Sequence, residues 1–278
     1  MSGFDAAWLA LREPVDHASR NPDIAERVRR HFASRASLTV VDLGCGTGSN
    51  LRALAASLPP RQSWHLIDGD ADLLLAARHR LCDWADGSSR SATGVVLEKD
   101  GRRIDVRFDC ADLTTCRLTF GDLGADLVTA AALFDLVSRD WLERLVDALS
   151  ERHVPIHAVL NYDGAAHWDP PGPLDERVVA AFNRHQGGDK GFGPALGPDA
   201  GETLARLCER RGYVTWSGDS PWRLLPADAA LIAALTDGFA RAAGEIDPAL
   251  REALVDWAEG HAKAHAVTIG HRDVFAHV

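Results

Sequence analysis

Short apolar, β-branched runs alternate along this chain with longer segments whose apolar residues recur at helical spacing. The strand-like runs cover residues 38–43, 64–68, 95–108, 124–134 and 155–160, and the helical segments between them cover residues 50–58, 70–78 and 138–149. Strands that alternate with helices at this spacing predict a mostly parallel sheet with helices on both faces. Within the third run, Asp100-Gly101 separates two alternating arms and predicts a hairpin turn.

Capping residues mark where several of these helices begin. Asn21 followed by Pro22 predicts a helix start before the first strand, and Asp70 and Ser138 stand at the same position of two later helices. Each cap side chain can accept a hydrogen bond from a backbone N–H that the first helical turn leaves without a partner. We therefore expect an N-terminal helical extension over residues 1–37, which could form part of a lid, ahead of one domain over residues 38–278.

The chain after the fifth strand departs from a plain alternation of strands and helices. A glycine-rich connection with aromatic, histidine and acidic residues predicts a cap insertion over about residues 161–200. A sixth strand, in one piece or broken, is expected within residues 213–225, followed by a helical insertion over about residues 226–265. Residues 267–277 predict an antiparallel seventh strand, although the insertion leaves the order of the last strands open. The predicted fold class is α/β, with a doubly wound, mostly parallel seven-stranded sheet.

Composition and charge limit the classes of function. The 278 residues are 46% hydrophobic and 25% charged, which is typical of a globular protein, and the net charge of −10 argues against a nucleic-acid partner. Neither an apolar run of about 20 residues nor a basic and apolar leader is present, so we expect no membrane span and no secretion signal. Five cysteines without a Cys-x-x-Cys pair are typical of reduced thiols. We expect a cytoplasmic protein, bacterial from its preference for arginine over lysine, for which a homodimer is one permitted state.

The most specific motif follows the first strand and reads Asp42-Leu-Gly-Cys-Gly-Thr-Gly48. Strand, glycine turn and helix together bring backbone N–H groups close to a bound ligand. The dinucleotide fingerprint requires a glycine where Ser49 stands, and the phosphate loop of nucleotide triphosphatases requires a lysine that this motif lacks. A carboxylate at Asp42 would repel a pyrophosphate but could accept a hydrogen bond from an ammonium group. The alternative interpretation is a turn that only joins strand to helix.

This motif resembles the first motif of the class I S-adenosylmethionine-dependent methyltransferases, and the resemblance extends over roughly residues 38–225. Asp68 stands at the end of the second strand, where an acid can accept both ribose hydroxyls. Ala111-Asp112-Leu113 resembles the family motif whose acid bonds the adenine amino group, with Asp109 as the second choice. The resemblance implies S-adenosyl-L-methionine as the cofactor. The residues implied to bind it are Asp42, Gly44, Cys45, Gly46, Gly48, Asn50, Asp68, Gly69, Asp112, Leu113 and Ala130.

The resemblance implies a methyltransferase, and we expect a small-molecule acceptor that is methylated at oxygen or nitrogen. The acidic balance disfavours a protein or RNA acceptor. Ala130-Ala-Ala-Leu133 also stands where enzymes that methylate nucleobase amino groups carry Asn/Asp-Pro-Pro-Tyr. A non-catalytic adenosylmethionine-binding protein and an oxidoreductase with a degenerate fingerprint are the alternatives from another class.

Proton transfer is needed only if the acceptor must lose a proton before or during attack. The candidate catalytic bases in the predicted cap are Tyr162, Asp163, His167 and His185, and Lys190 could hold an acidic group of the substrate. His261 and His265 stand four apart on a predicted helix, a spacing that can bind a metal. Because no third ligand is evident apart from His271 or His277, we interpret them as solvated helix residues and expect no metal site, with a metal as the remote alternative.

Overall fold

The computed structural model describes residues 5–115 and 123–278, which form a mixed sheet with helices on both faces. The strands are β1 (Ser37–Leu43), β2 (Arg61–Asp68), β3 (Gly87–Arg90), β4 (Gly94–Lys99), β5 (Arg102–Cys110), β6 (Leu127–Ala131), β7 (Ile156–Asp169), β8 (Val214–Asp219), β9 (Trp222–Leu224) and β10 (Ala266–His277). The helices are α1 (Ala6–Ser19), α2 (Pro22–Phe32), α3 (Ser49–Leu54), α4 (Ala71–Trp84), α5 (Arg139–Ser150), α6 (Asp175–Gln186), α7 (Ala200–Arg210), α8 (Ala229–Ile246) and α9 (Arg251–His261).

The strand order is β3-β4-β5-β2-β1-β6-β7-β10-β8, with β9 also paired to β10. Strands β5, β2, β1, β6 and β7 are parallel, and β10 is antiparallel to its neighbours. The chain runs outward from β1 to β5 and then returns to β6, so the sheet reverses its direction of growth between β1 and β6. Ligands of such sheets bind beyond the carboxyl ends of the strands at this switch point. The predicted doubly wound fold with an antiparallel last strand is confirmed.

The structure settles two questions that the sequence left open. The sixth strand is broken, because β8 pairs with Arg272–His277 of β10 while β9 pairs with Val267–Ile269 of the same strand. The last strand therefore lies between β7 and β8, with α8 and α9 inserted before it. The hairpin at Asp100-Gly101 is confirmed, but the strand β3 beyond it was not predicted. The sheet thus has ten strands in the described residues where seven were expected.

Strand β7 is longer than the predicted fifth strand. It continues past Leu160 to Asp169, whereas the sequence predicted a loop there. Its last parallel pair with β6 is Ala131 with Val159, and beyond that point it pairs with β10 up to Ala266. We call this antiparallel extension, residues 161–169 and 266–271, the ribbon. Its polar residues and Gly164 were interpreted as a loop because pairing with a strand about 100 residues away leaves no local pattern.

Apolar residues bury themselves in three clusters. One lies between the sheet and helices α5 and α7, and it includes the buried face of α5 that the sequence predicted: Trp141, Leu142, Leu145, Val146 and Leu149. A second lies on the opposite face under α2, α3 and α4. The third packs α6, α8 and α9 against the ribbon. The ribbon therefore has its own apolar support and stands above the carboxyl edge of the parallel strands.

The remaining helix starts agree with the sequence. The side chains of Asn21, Asp70 and Ser138 accept hydrogen bonds from backbone N–H groups of the first turns of α2, α4 and α5. Free thiols are found at Cys45, Cys82, Cys110 and Cys208, and Cys116 lies outside the described residues. None of the helices in residues 5–115 and 123–278 is both long enough and apolar enough to cross a bilayer.

Asp273 of β10 connects three elements at the carboxyl edge. Its side chain is buried and accepts hydrogen bonds from the Asn21 N–H at 2.8 Å, the Leu160 N–H at 2.8 Å and the Ser220 hydroxyl at 2.6 Å. Leu160 has φ +57°, a conformation that costs a leucine roughly 1–3 kcal/mol. Asp273 therefore holds the start of α2, the bend of β7 and the turn between β8 and β9 together.

Replacement of Asp273 by alanine would leave these donors buried without an acceptor. We expect Asp273→Ala to lower the free energy of unfolding by about 3–5 kcal/mol in urea denaturation. The matched control is Asp219→Ala, since the side chain of Asp219 is 72% exposed and pairs with the half-exposed Arg272; it should change stability by less than about 0.5 kcal/mol. Equal losses in the two variants would contradict the role given to Asp273.

Candidate functional site

A glycine turn follows β1 at the switch point of the sheet. Gly44, Gly46 and Gly48 have φ of +62°, +52° and +76°, which L side chains rarely adopt. The Gly46 N–H donates to Asp68 Oδ2 at 2.8 Å, and the Asp70 N–H donates to Asp68 Oδ1 at 3.0 Å. Each oxygen of Asp68 keeps a further acceptor position, so both can accept a ligand hydroxyl. Burial raises the pKa of Asp68, against the lowering by its backbone hydrogen bonds.

Asp42 is fully buried beneath this turn. Its Oδ1 accepts a hydrogen bond from Asn50 Nδ2 at 2.7 Å, and its Oδ2 has no hydrogen-bond partner in the described part of the chain. Burial raises the pKa of Asp42 to about 7, opposed by the Asn50 hydrogen bond and by the nearby Arg20. An unpaired buried carboxylate oxygen costs free energy unless a donor meets it. The residues present therefore fit a ligand that brings a positively charged donor to this place.

Helix α1 lies across the turn and the start of α3. A Cβ on Gly46 would come within 3.0 Å of Leu9 Cδ1, so the helix packs directly on the turn. His17 Nε2 is 2.9 Å from Ser49 Oγ, and the Glu13 carboxylate pairs with Arg52 of α3 at 2.7 Å. The predicted N-terminal extension therefore packs on the glycine turn and on α3.

The other residues implied to bind a cofactor lie at the same carboxyl edge of the sheet, and some of them are exposed while others are buried. Asp112 is exposed, and its Oδ1 accepts the Thr114 N–H at 2.8 Å, which lowers its pKa together with the Thr114 side chain. Leu113 is buried, and its carbonyl accepts from Trp141 Nε1 at 2.7 Å. Cys45 and Ala130 are buried in the two sheet-face clusters, and Gly69 is exposed at the end of β2. Asp109 instead pairs with Arg107 at 2.7 Å.

A buried acid that the sequence analysis missed stands beside the switch point. Asp135 follows β6 in a short 3-10 turn, is 8% exposed, and has an Oδ1 without a partner in the described residues. Burial raises the pKa of Asp135 to about 6, while Arg12 of α1 and Lys190 lower it. A buried carboxyl group that titrates near neutral pH is suited to accept a proton.

Tyr162 and His271 lie close to each other at the base of the ribbon, and the charge of Asp135 acts on Tyr162. The Tyr162 hydroxyl donates to Asn183 Oδ1 at 2.8 Å, and burial raises the pKa of Tyr162, with smaller contributions from Asp163 and Asp135. The rings of Tyr162 and His271 are 6.2 Å apart, and burial lowers the pKa of His271 to about 3. Arg12 lies over the Trp222 ring at 5.0 Å and pairs with Asp16 at 2.8 Å. Polar groups of α1, β6 and the ribbon therefore converge here.

The predicted bases are not brought together as one set. His167 is exposed on the ribbon, five residues beyond Tyr162 and so roughly 16 Å further along the strand. His185 Nε2 lies 3.1 Å from Glu245 Oε2, and its Nδ1 lies 3.4 Å from Lys190 Nζ. Asp163 accepts the Ala165 N–H and lies against Gly270. Among the polar residues predicted in the cap, two interact electrostatically with Asp135. The charge of Lys190 lowers the pKa of Asp135, and the charge of Asp135 raises the pKa of Tyr162.

Comparison with known proteins supports the architecture. No family profile and no curated protein matches the chain. Among solved structures, YcgJ of Bacillus subtilis has a TM-score of 0.51 at 12% identity, covering 92% of this chain and 98% of its own. BH2331 of Bacillus halodurans, provisionally named a methyltransferase, has a TM-score of 0.52 at 11% identity, covering 92% and 99%. The cyclopropane synthase MmaA2 of Mycobacterium tuberculosis has a TM-score of 0.51 at 11% identity, covering 98% and 94%.

The chain shares the Rossmann-like fold of these solved structures, which is the fold that the resemblance implied. In this fold the glycine turn and Asp68 flank one side of the switch point, and Asp135 follows β6 on the other. Two signals in the sequence could have found the missed residues. Asp135 comes directly after the fourth predicted strand, and Arg12, Asp16 and Arg20 recur at helical spacing on α1.

One of the two histidines weighed as metal ligands, His261, has other partners. His261 Nδ1 lies 2.8 Å from the Trp257 carbonyl, and its Nε2 lies 2.9 Å from Asp175 Oδ1. Across residues 5–115 and 123–278, no three His, Cys, Asp or Glu side chains lie together as metal ligands would.

The raised pKa of Asp135 predicts a pH-dependent stability. The folded chain binds this proton more tightly than the unfolded chain, so the stabilisation is present below pH 3.8 and is lost as the pH rises through about 6. We expect Asp135→Asn to be more stable than the wild type at pH 8, by up to about 3 kcal/mol, and to lose this advantage towards pH 4. Urea denaturation at several pH values measures the difference.

A matched control is Asp140→Asn, an exposed acid in the first turn of α5. It should cause a small loss of stability that stays the same between pH 5 and 8. An Asp135→Asn effect that is equally independent of pH would show that Asp135 is ionised over the whole range.

Proposed function

We propose that this protein transfers a methyl group from S-adenosyl-L-methionine to a small-molecule acceptor at oxygen or nitrogen. The observation that carries the proposal is the hydrogen bond between the glycine turn and Asp68, together with the buried Asp42, whose Oδ2 has no hydrogen-bond partner in the described residues. Asp68 is suited to accept hydrogen bonds from the two hydroxyls of a ribose, and Asp42 is suited to accept one from an ammonium group. The strand order of the class I methyltransferase fold also favours a ligand at this switch point.

In this proposal the turn and the strand ends hold the donor. Asp68 accepts the ribose hydroxyls, Asp42 faces the ammonium group, and the positive φ values let the backbone of Gly44 and Gly46 approach the ligand. Asp112 and Leu113 lie at the end of β5 for the adenine ring. The remaining proposed contacts are Cys45, Gly48, Asn50, Gly69 and Ala130. The site has no need of a tightly bound metal for this reaction.

When bound, adenosylmethionine supplies a methyl group on a positively charged sulfur, which is already a good leaving group. The chain then has to hold the acceptor in line with the sulfur and exclude water, and orientation of this kind supplies most of the acceleration. Helix α1 packs on the glycine turn through Leu9, and Trp222 belongs to the apolar cluster that supports the ribbon. In this proposal α1 and the ribbon enclose an acceptor of small size.

Asp135 is the group that we propose as the base for an acceptor O–H or N–H. Its unpaired Oδ1 and its pKa of about 6 suit proton removal near neutral pH. His185 and Asp163 are held by partners outside this position, and His167 is exposed on the ribbon. Tyr162 then orients the acceptor, because its raised pKa keeps the hydroxyl protonated.

Isothermal titration calorimetry tests the donor site. The wild type should bind adenosylhomocysteine and not NAD, and Asp68→Asn should weaken adenosylhomocysteine binding by about 10- to 100-fold through the loss of charge-assisted hydrogen bonds. The control Asp105→Asn removes an exposed acid that pairs with Arg103 on β5, and it should leave the affinity unchanged. Binding of NAD without adenosylhomocysteine would refute the proposed function.

A methyl-release assay over fractionated metabolites would identify the acceptor and then test the base. Asp135→Asn should lower kcat by about 100- to 10,000-fold and keep the wild-type affinity for adenosylhomocysteine. The wild-type rate should rise with an apparent pKa near 6 as Asp135 loses its proton. An unchanged kcat in Asp135→Asn would exclude this residue as the base.

A further inference from the structure

Arg20, at the end of α1, carries a buried charge whose hydrogen bonds are incomplete. Its Nη2 donates to Asn50 Oδ1 at 2.8 Å, whereas Nε and Nη1 are buried without a partner in the described residues. A guanidinium group has five N–H donors, and buried donors without acceptors are costly. An arginine in this state is suited to receive an anion.

The surrounding charges compensate Arg20 only at a distance. Burial lowers the pKa of Arg20 below its usual value. The charges of Asp273, Asp16 and Asp42 act in the opposite direction and offset this only in part. The carboxylates of Asp273 and Asp16 accept hydrogen bonds from other groups. Asp273 accepts from Asn21, Leu160 and Ser220. Asp16 accepts from Arg12 and Trp222. The two neighbouring histidines, His17 and His157, have lowered pKa values from burial and from Arg20 itself.

One amide side chain separates Arg20 from the unpaired carboxylate of the site. Asn50 accepts from Arg20 through Oδ1 and donates to Asp42 through Nδ2, at 2.8 and 2.7 Å. On one side of Asn50 lie two unpaired donor nitrogens of the Arg20 guanidinium group, and on the other side lies an unpaired oxygen of the Asp42 carboxylate. This arrangement is complementary to a zwitterion with a carboxylate and an ammonium group a few ångströms apart.

We propose that Arg20 binds the α-carboxylate of the donor's amino-acid end and so selects adenosyl ligands that carry one. The assignment rests on the proposed function. Asn50 stands two residues after Gly48, which places Arg20 next to the turn. A charge-assisted pair to a carboxylate supplies affinity and fixes the amino-acid chain, which in turn orients the sulfur.

Calorimetry with two ligands tests this assignment. Adenosylhomocysteine carries the amino-acid group, and 5′-methylthioadenosine keeps the adenosine and the sulfur but has neither carboxylate nor ammonium. We expect Arg20→Met to weaken adenosylhomocysteine binding by about 10- to 100-fold and to leave methylthioadenosine binding within about 3-fold of wild type. Retained binding of methylthioadenosine also shows that the variant is folded.

The control is Arg29→Met, which removes the same charge from α2, where Arg29 is 53% exposed and pairs with Glu26. Both ligands should bind this variant as they bind the wild type. An equal loss for the two ligands in Arg20→Met, or no loss for either, would overturn the assignment while the proposed function stands. If the wild type binds neither ligand, the proposed function fails and the assignment with it.

Discussion

The antiparallel pairing of β7 with β10 supports most of what surrounds the site. It runs from Ile156 with Ala276 at the foot of the sheet to Asp169 with Ala266 at the tip of the ribbon. The ribbon gives α6, α8 and α9 a surface on which to bury their apolar residues, and it positions Tyr162 and His271 above the switch point. Asp273, on the same strand, ties α2 and the bend at Leu160 to this frame.

Helix α1 adds polar contacts to its apolar packing. Glu13 pairs with Arg52 and Arg20 bonds Asn50, both on α3, while Asp16 accepts from Trp222 on β9, so three successive turns of α1 are tied to two elements. Buried ion pairs contribute little net stability because desolvation offsets their attraction, but they make the position of the helix specific. A wall held in this way places charges at defined points of the site.

Three buried carboxylates serve different purposes because their surroundings differ. Asp273 has donors for its hydrogen bonds and is structural. Asp42 and Asp135 each keep an unpaired oxygen, and burial raises their pKa values to about 7 and about 6. Unpaired buried acids destabilise the fold at neutral pH, and such groups are concentrated at functional sites. Asp42 in the proposed donor site and Asp135 as the proposed base are two such groups, and each lowers the free energy of unfolding at neutral pH.

The sequence by itself determined the central strands, the caps at Asn21, Asp70 and Ser138, and the glycine turn with Asp68, because each depends on residues close together in the chain. Only the tertiary structure decided that residues 161–169 form a strand, that β8 and β9 share β10, that Arg12 acts on the buried Asp135, and that Arg20 bonds Asn50. Pairing between distant strands leaves no local periodicity, and burial of a charge depends on what packs over it. The burial of Asp42 and Asp135 is therefore a property of the fold, and the spacing of residues in the chain does not indicate it.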